Sequence, residues 1–435
     1  MPDHRVVVVG TTTDYIDLIA RRFPGRALFL TEAHERATGY EPPPDERSEI
    51  LCDLMQPEAV LATLYDHLKQ WSIEPIGIAC FDCETLALAA FLAEKLSLPF
   101  VSAEAVRAAR SKFISKSQWR QAGVACPQAG LVASSAEAAA FLEKVDRPIV
   151  LKPLTGSGSE LVFLCASGDD CRQAVEIMKT RLESHPNARM YSRQTGSDGS
   201  NARQVFVAEE YIRGTEYSCD FMVDGGRVEV IRMARKFPAA DSPLGTILAY
   251  FLPAELPSEI DRLAFQRQLQ AGAGALGITH SLCMLDFIVS DGMAYMIELT
   301  PRIGGDCLPP LIRHSCGLDM LGAALDFAAG KAITVPEVSR WRPLVGVRLF
   351  AAQAGIIMAI DDHRLQEDHR VCEVYLKRRP GHEVILPPQD YESRLLGHVI
   401  IQPLRLNDIA GEAAEIAAKL IVKMDTRKWT RLTTF

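Results

Sequence analysis

The stretch 283–306, CMLDFIVSDGMAYMIELTPRIGGD, narrows the folds open to this chain more than any other. Apolar runs flank Ser290-Asp291-Gly292, a turn signal, so the stretch reads as a β-hairpin. Asp286 falls on the first strand and Glu298 on the second. A three-residue turn sets Val289 opposite Met293. The two carboxylates then share one face as a diagonal pair, about 7–8 Å apart at the backbone. Carboxylates converging from that distance can share hard divalent cations, and Mg²⁺ takes oxygen ligands alongside substrate phosphates. A two-residue turn would send them to opposite faces and remove the site. Acidic residues in hairpins ordinarily face solvent, but these sit among Leu285, Phe287, Ile297 and Leu299. Pro301, Arg302 and Gly304-Gly305 follow. They set a planar guanidinium and a side-chain-free backbone beside the metal, suited to phosphate or carboxylate.

Upstream, strands alternate with helices. Residues 6–10, 26–30 and 75–80 read as strands and 14–23 as an amphipathic helix. Pro57 opens a second helix, and Asp82 caps a third that runs to about residue 96. The alternation implies a parallel sheet. A nicotinamide site is excluded, because Gly10-Thr11-Thr12-Thr13 has one glycine where the dinucleotide fingerprint needs three. From residue 105 a basic helical stretch carries Lys112, and a short helix at 134–145 has a Ser134/Glu137 capping box. Strand 149–152 ends in Lys152, and Gly156-Ser157-Gly158-Ser159 leads into strand 161–164. Such a loop can lay backbone N–H groups over phosphates, with Lys152 as a point charge. No G-K-[ST] and no helix follow, so it is not a Walker loop.

Residues 184–203 read as a mobile surface loop. A strand at 205–209 then enters Glu209-Glu210-Tyr211-Ile212-Arg213-Gly214-Thr215-Glu216. A hairpin over 217–223 and 228–237 follows, then a long helix from Ser258 with Asp261 completing its cap. Helices at 308–316 and 319–329 come after the opening hairpin. The last hundred residues read as a small α+β lobe, with strands at 344–350, 356–360, 371–376 and 399–402. Its helix after Asp408 presents Ile409, Ala413, Ile416, Leu420 and Met424 on one face.

The formal charge of −8 leaves no nucleic-acid footprint. Apolar runs are too short for a membrane span or a signal-peptide core. Eleven cysteines without framework spacing read as a reducing cytosol. Cys80-Phe81-Asp82-Cys83 has no redox context around it, and ten histidines without ligand spacing argue against zinc.

Taken in order, Lys112, Lys152 with its glycine loop, the 209–216 stretch, and Asp286 with Glu298 resemble the ATP-grasp superfamily, over roughly residues 1–430. The resemblance implies a mixed α/β and α+β fold. Its parts are a Rossmann-like preceding domain (1–104), a two-lobed ATP-grasp and a small C-terminal α+β lobe (336–435). Residues 105–208 bring the lysines and glycine loop to the grasp, and 209–335 the hinge and magnesium site. It implies roles as well. Lys112 and Lys152 would contact ATP phosphates under a lid formed by Gly156, Ser157, Gly158 and Ser159. Glu209, Glu210 and Ile212 would take the adenine edge through backbone and carboxylate groups, and Glu216 would accept from the ribose hydroxyls. Asp286 and Glu298 would hold Mg²⁺, with Mn²⁺ as an alternative. Arg302 would steady the acyl phosphate, and Arg235 and Lys236 are candidates for phosphate or substrate carboxylate.

One departure concerns Thr300, which stands where many members have asparagine. It can reach the metal as a poorer ligand or simply help to turn the chain at Pro301. Within the superfamily, E-L-T-P-R-I-G-G-D is most similar to the L-amino acid (dipeptide) ligases and related carboxylate–amine ligases. The R-D-C-S and Q-V-E-H stretches of biotin carboxylases are missing. So is the histidine that follows the arginine in carboxyaminoimidazole synthetases. The implied activity is ATP-dependent amide or peptide bond formation through an acyl phosphate, releasing ADP and phosphate. Its partners would be small carboxylates and amines, amino acids foremost, with no nucleic acid or membrane. A cytoplasmic location is implied, and a homodimer is an assembly it admits. The alternatives are an ATP-grasp enzyme that uses bicarbonate and a nucleotide-binding protein without turnover.

Overall fold

The computed structural model describes residues 3–191, 203–240 and 242–426. The chain begins with a four-stranded parallel sheet in the order Glu49–Leu51, Ala27–Thr31, Asp3–Val9, Ile73–Ala79. Val6 to Val9 are buried without a polar break, as a parallel strand covered on both faces requires. The helices include Thr13–Arg22, Pro57–Trp71 and Leu86–Leu96. Two details differ from expectation. The helix Ala33–Thr38 and the short strand Glu49–Leu51 lie between residue 30 and Pro57, where no element is predicted. Asp82 makes no cap hydrogen bond, because the 3₁₀ turn Cys83–Thr85 comes before Leu86–Leu96.

The basic stretch is two helices, Ala103–Arg110 and Lys112–Gln121. Each is capped by a serine side chain, Ser102 accepting from Ala105 N–H and Ser111 from Ile114 N–H. A second four-stranded sheet follows, antiparallel throughout, in the order Ala129–Val132, Phe206–Glu210, Ile149–Pro153, Phe163–Cys165. Helices Ser135–Val145 and Gly168–Glu183 supply the apolar residues that pack with it. The loop expected at 184–203 lies largely outside the described residues; of those described, Met190, Tyr191 and Arg203 are buried.

The third sheet has eight antiparallel strands: Met293–Thr300, His280–Ser290, Thr215–Asp224, Arg227–Pro238, Ile247–Leu252, Leu344–Phe350, Leu395–Ile401, Val371–Leu376. The C-terminal residues join this sheet. Leu344–Phe350 pairs with Ile247–Leu252 and carries the central sheet onward. Only Glu383–Val384, Gly355–Asp361 and Ile421–Asp425 form a separate small sheet. The final helix stops at Ala417, so Leu420 lies beyond it and Met424 belongs to a strand. The long helix is Arg262–Ala275, with Asp261 rather than Ser258 at its cap, accepting from Ala264 N–H at 2.6 Å. No helix among the described residues is long and apolar enough to cross a membrane. All eleven cysteines are unbridged.

Candidate active site

The site lies where the second sheet and the helix Lys112–Gln121 meet the eight-stranded sheet. The hairpin reaches it by an unexpected register. Its turn has two residues, Asp291 and Gly292, both at positive φ, with Ser290 opposite Met293. That is the twist-matched form of a tight hairpin. In a regular ladder it would separate the two acids. A bulge next to Asp286 corrects the register: Phe287 faces Met296, Asp286 faces Glu298, and Ile297 is the extra residue. The carboxylates thus share a face as a directly opposed pair, not a diagonal one.

Asp286 Oδ1 is buried and has no hydrogen-bond partner, while Oδ2 lies 3.1 Å from Lys236 Nζ. Glu298 Oε1 lies 3.6 Å from Lys112 Nζ. Burial works to raise the Glu298 pKa, but the charges of Lys112, Lys116 and Lys152 outweigh it and hold the group below its ordinary value. An orphaned carboxylate oxygen in an all-oxygen pair fits a hard cation. Among the described residues no further His, Cys, Asp or Glu completes a cage, as suits an ion that keeps waters and phosphate oxygens. Thr300 lines a small cavity with Glu298, Gly156, Arg110 and Cys83. Its carbonyl accepts the Arg302 N–H at 2.8 Å, which turns the chain at Pro301.

Across the cleft, Glu209 sits on the inward side of its strand at 2 % exposure. Its carboxylate lies 2.7 Å from Lys152 Nζ and 3.2 Å from Lys116 Nζ. Lys116 also donates to Ile297 O. Glu210, the next residue, points to the other face and meets Arg147 at 2.7 Å. Of the two carboxylates expected at the adenine edge, one is held by two lysines, and strand alternation turns the other to the opposite face. Ile212 follows with its side chain buried. Lys112 donates to Gly156 O at 2.9 Å, and Ser159 Oγ donates to Gly245 O at 3.1 Å, so both ends of the Gly156–Ser159 loop are tied down. Ser157 carbonyl accepts from Glu160 N–H within it.

The same alternation separates Arg235 from Lys236. Arg235 is exposed, with its guanidinium 4.9 Å from the Phe237 ring centroid. Lys236 turns inward, 3.3 Å from Glu216 and 3.1 Å from Asp286. Burial works to lower its pKa, but Asp286 and Glu216 outweigh it and raise it. Arg302 donates to Cys83 Sγ at 3.2 and 3.1 Å and to Ile303 O at 2.6 Å. Half of the C-x-x-C pair thus borders the site through the arginine, while the Cys80 thiol contacts Thr85.

Sequence reasoning passed over Lys116, although its spacing from Lys112 puts both on one helix face. It also passed over a buried pair on adjacent strands. Arg232 contacts Asp220 through two 3.0 Å hydrogen bonds, and Asp220 Oδ1 accepts the Gly304 N–H at 3.0 Å. A Cβ at Gly304 would come 2.7 Å from the Arg232 guanidinium and 2.8 Å from Leu308, so any larger residue there would displace the pair. The pair fixes the Gly-Gly backbone, and its signal was an acid and a base at inward positions of adjacent strands.

Residues 145–310 match the family model described as ATP-grasp domain. A solved L-amino acid ligase from Bacillus licheniformis superposes with a TM-score of 0.79 at 20 % identity, covering 98 % of this chain and all (100 %) of that one. Human carnosine synthase 1 is 26 % identical over 284 residues, 62 % of this chain and 33 % of that protein. A D-alanine–D-alanine ligase from Paracidovorax citrulli is 24 % identical over 260 residues, 55 % of this chain and 69 % of that protein. The chain thus spans about a third of the carnosine synthase that it matches.

Proposed function

This chain has the ATP-grasp fold, and from its site we propose an ATP-dependent carboxylate–amine ligase that forms an amide or peptide bond and releases ADP and phosphate. One observation carries the reading: Asp286 and Glu298 face each other directly, one with an orphaned buried oxygen, across from a glycine loop tied to Lys112. Amino acids are the substrates we favour, because two of the proteins above, the L-amino acid ligase and the D-alanine–D-alanine ligase, are named for joining amino acids.

In this reading a substrate carboxylate attacks the γ-phosphorus of ATP, giving an acyl phosphate and ADP. An amine then attacks the acyl carbon, and phosphate leaves. Lys112 and Lys152 neutralise the phosphates, Glu210 and Ile212 offer backbone at the adenine edge, and Arg302 meets the charge that spreads over the transferring group. Mg²⁺ held by Asp286 and Glu298 would supply further charge neutralisation. The enzyme needs no nucleophile of its own, only position and charge. A screen of carboxylate and amine pairs for phosphate release identifies substrates. A carboxylate labelled with heavy oxygen should then pass one label into the released phosphate, because its oxygen bridges the acyl phosphate. AMP and pyrophosphate, or unlabelled phosphate during verified amide formation, would reject the mechanism.

Glu216→Ala tests the nucleotide end. A hydrogen bond to a charged group is worth about 1.5–3 kcal/mol, so ATP affinity should fall at least several-fold by calorimetry. Unchanged affinity would remove Glu216 from the ribose.

A further inference from the structure

The glycine loop leaves through a strained turn. Ser159 and Leu161 both lie at positive φ, 60° and 55°. Residues other than glycine enter that region at a cost, and they stay there only where their surroundings over-determine them. Leu161 is buried in the apolar cluster of the second sheet. Glu160 stands between the two. One of its carboxylate oxygens accepts from the Tyr191 hydroxyl at 2.7 Å, and the other accepts from His185 Nε2 at 3.1 Å. The far side of the imidazole fixes that donor role. The Asn187 backbone N–H can only donate, and it meets His185 Nδ1 at 3.1 Å. The rings of His185 and Tyr191 meet edge to face with centroids 4.5 Å apart. A Cβ at Gly156 would come 3.1 Å from the Tyr191 hydroxyl, so the tyrosine backs the first residue of the loop as well.

Both donors come from outside the loop, from residues 185–191, and that segment is itself braced. Arg203 donates to Tyr191 O at 2.7 Å. Asn187 donates from Nδ2 to Glu84 at 2.8 Å and accepts the Met190 N–H through Oδ1 at 2.9 Å. Arg189 lies 3.2 Å from Glu32. Glu84 and Glu32 belong to the N-terminal unit, and Glu84 follows Cys83, which accepts from Arg302. The other foot of the loop rests on the same segment, because Thr155 Oγ1 donates to Met190 O at 2.8 Å. The loop is thus mounted before and after on residues 185–191. Glu160 is the side chain that ties its strained end to them.

We propose that Glu160 is a positioning residue: with Tyr191 and His185 as donors, it holds the Gly156–Ser159 loop in the shape that receives nucleotide phosphates. The proposal rests on the reading of that loop as the ATP lid, and loop-resolved hydrogen exchange tests it apart from turnover. Exchange is followed for peptides across the loop in the full chain, with Mg²⁺ and with or without a non-hydrolysable ATP analogue. In the parent the analogue should protect the loop amides. In Glu160→Ala that protection should be lost and the analogue's affinity should fall roughly 10-fold or more. Tyr191→Phe removes one donor and keeps the ring, so its loss should be smaller; it carries the test if Glu160→Ala fails to fold. Glu160→Gln keeps an acceptor for His185 and a partner for the Tyr191 hydroxyl, and should recover most of the protection. A merely structural role would lower the thermal midpoint and leave the analogue's affinity and its protection of the loop in place. Unchanged protection and affinity in Glu160→Ala and Tyr191→Phe would overturn the proposal. So would a Glu160→Gln variant as impaired as Glu160→Ala, because charge and not the two hydrogen bonds would then be responsible. If the analogue fails to protect the parent's loop, the lid reading falls and the proposal with it. Loop protection without amide formation from any substrate pair would count against the ligase reading and leave this role standing.

Discussion

Glu298→Gln is expected to abolish Mg²⁺-dependent turnover in a protein that still folds. The substitution keeps the shape of the side chain and removes its charge. Glu298 directly faces Asp286, so the variant leaves a hard cation with one carboxylate. Loss of even an outer partner of a metal ligand commonly costs about 10–100-fold in metal affinity or activity, and loss of a ligand should exceed that. Stability should change little. The Glu298 side chain is 32 % exposed and stands 3.6 Å from Lys112, so solvent screens much of the interaction. Its depressed pKa means that what it contributes is present above the ordinary carboxyl range and fades as pH falls. Steady-state phosphate release across a Mg²⁺ titration, beside circular dichroism, reads both halves. Turnover near the parent's would remove Glu298 from the metal site.

Where local rules governed, the residues announced the structure. Unbroken Val6–Val9 foretold a parallel strand, and an apolar hairpin foretold that Asp286 and Glu298 share a face, though through another turn and register. What escaped was decided between distant segments. The bulge that re-aims Glu298 sits at Ile297, whose carbonyl accepts from the distant Lys116 while Met296 N–H donates to Ala125 O, and nothing in Met296-Ile297-Glu298 marks it. That Leu344–Phe350 joins the central sheet was not legible, because its pairing with Ile247–Leu252 crosses a long sequence separation. Apolar spacing at Leu420 and Met424 imitated a helical stripe, yet Ile421–Asp425 pairs as a strand with Gly355–Asp361.

Glu209→Gln should be the most damaging single change in the phosphate cradle. Glu209 holds two buried ammonium groups, Lys116 at 3.2 Å and Lys152 at 2.7 Å. Burial works to raise its pKa, but the two lysines outweigh it and leave it lowered. Lys116 is already pushed down by burial, with Glu209 as its main offset. Removing one partner of a buried charge pair costs about 3–5 kcal/mol, because the remaining charge is left uncompensated. Here two are left. Glu210→Gln on the same strand is the matched control, since its partner Arg147 is 59 % exposed and such pairs contribute only about 0–1 kcal/mol. The thermal midpoint should fall far more for the first variant than for the second, and ATP binding should weaken with it as Lys152 loses its anchor. The sign with pH follows from the depressed carboxyl. Its contribution is complete above the unfolded value of about 4.3 and is lost as pH drops through the folded one, so the gap between parent and variant should close in acid. Equal midpoints for the two variants at neutral pH would show that the lysines are held in place by something other than Glu209.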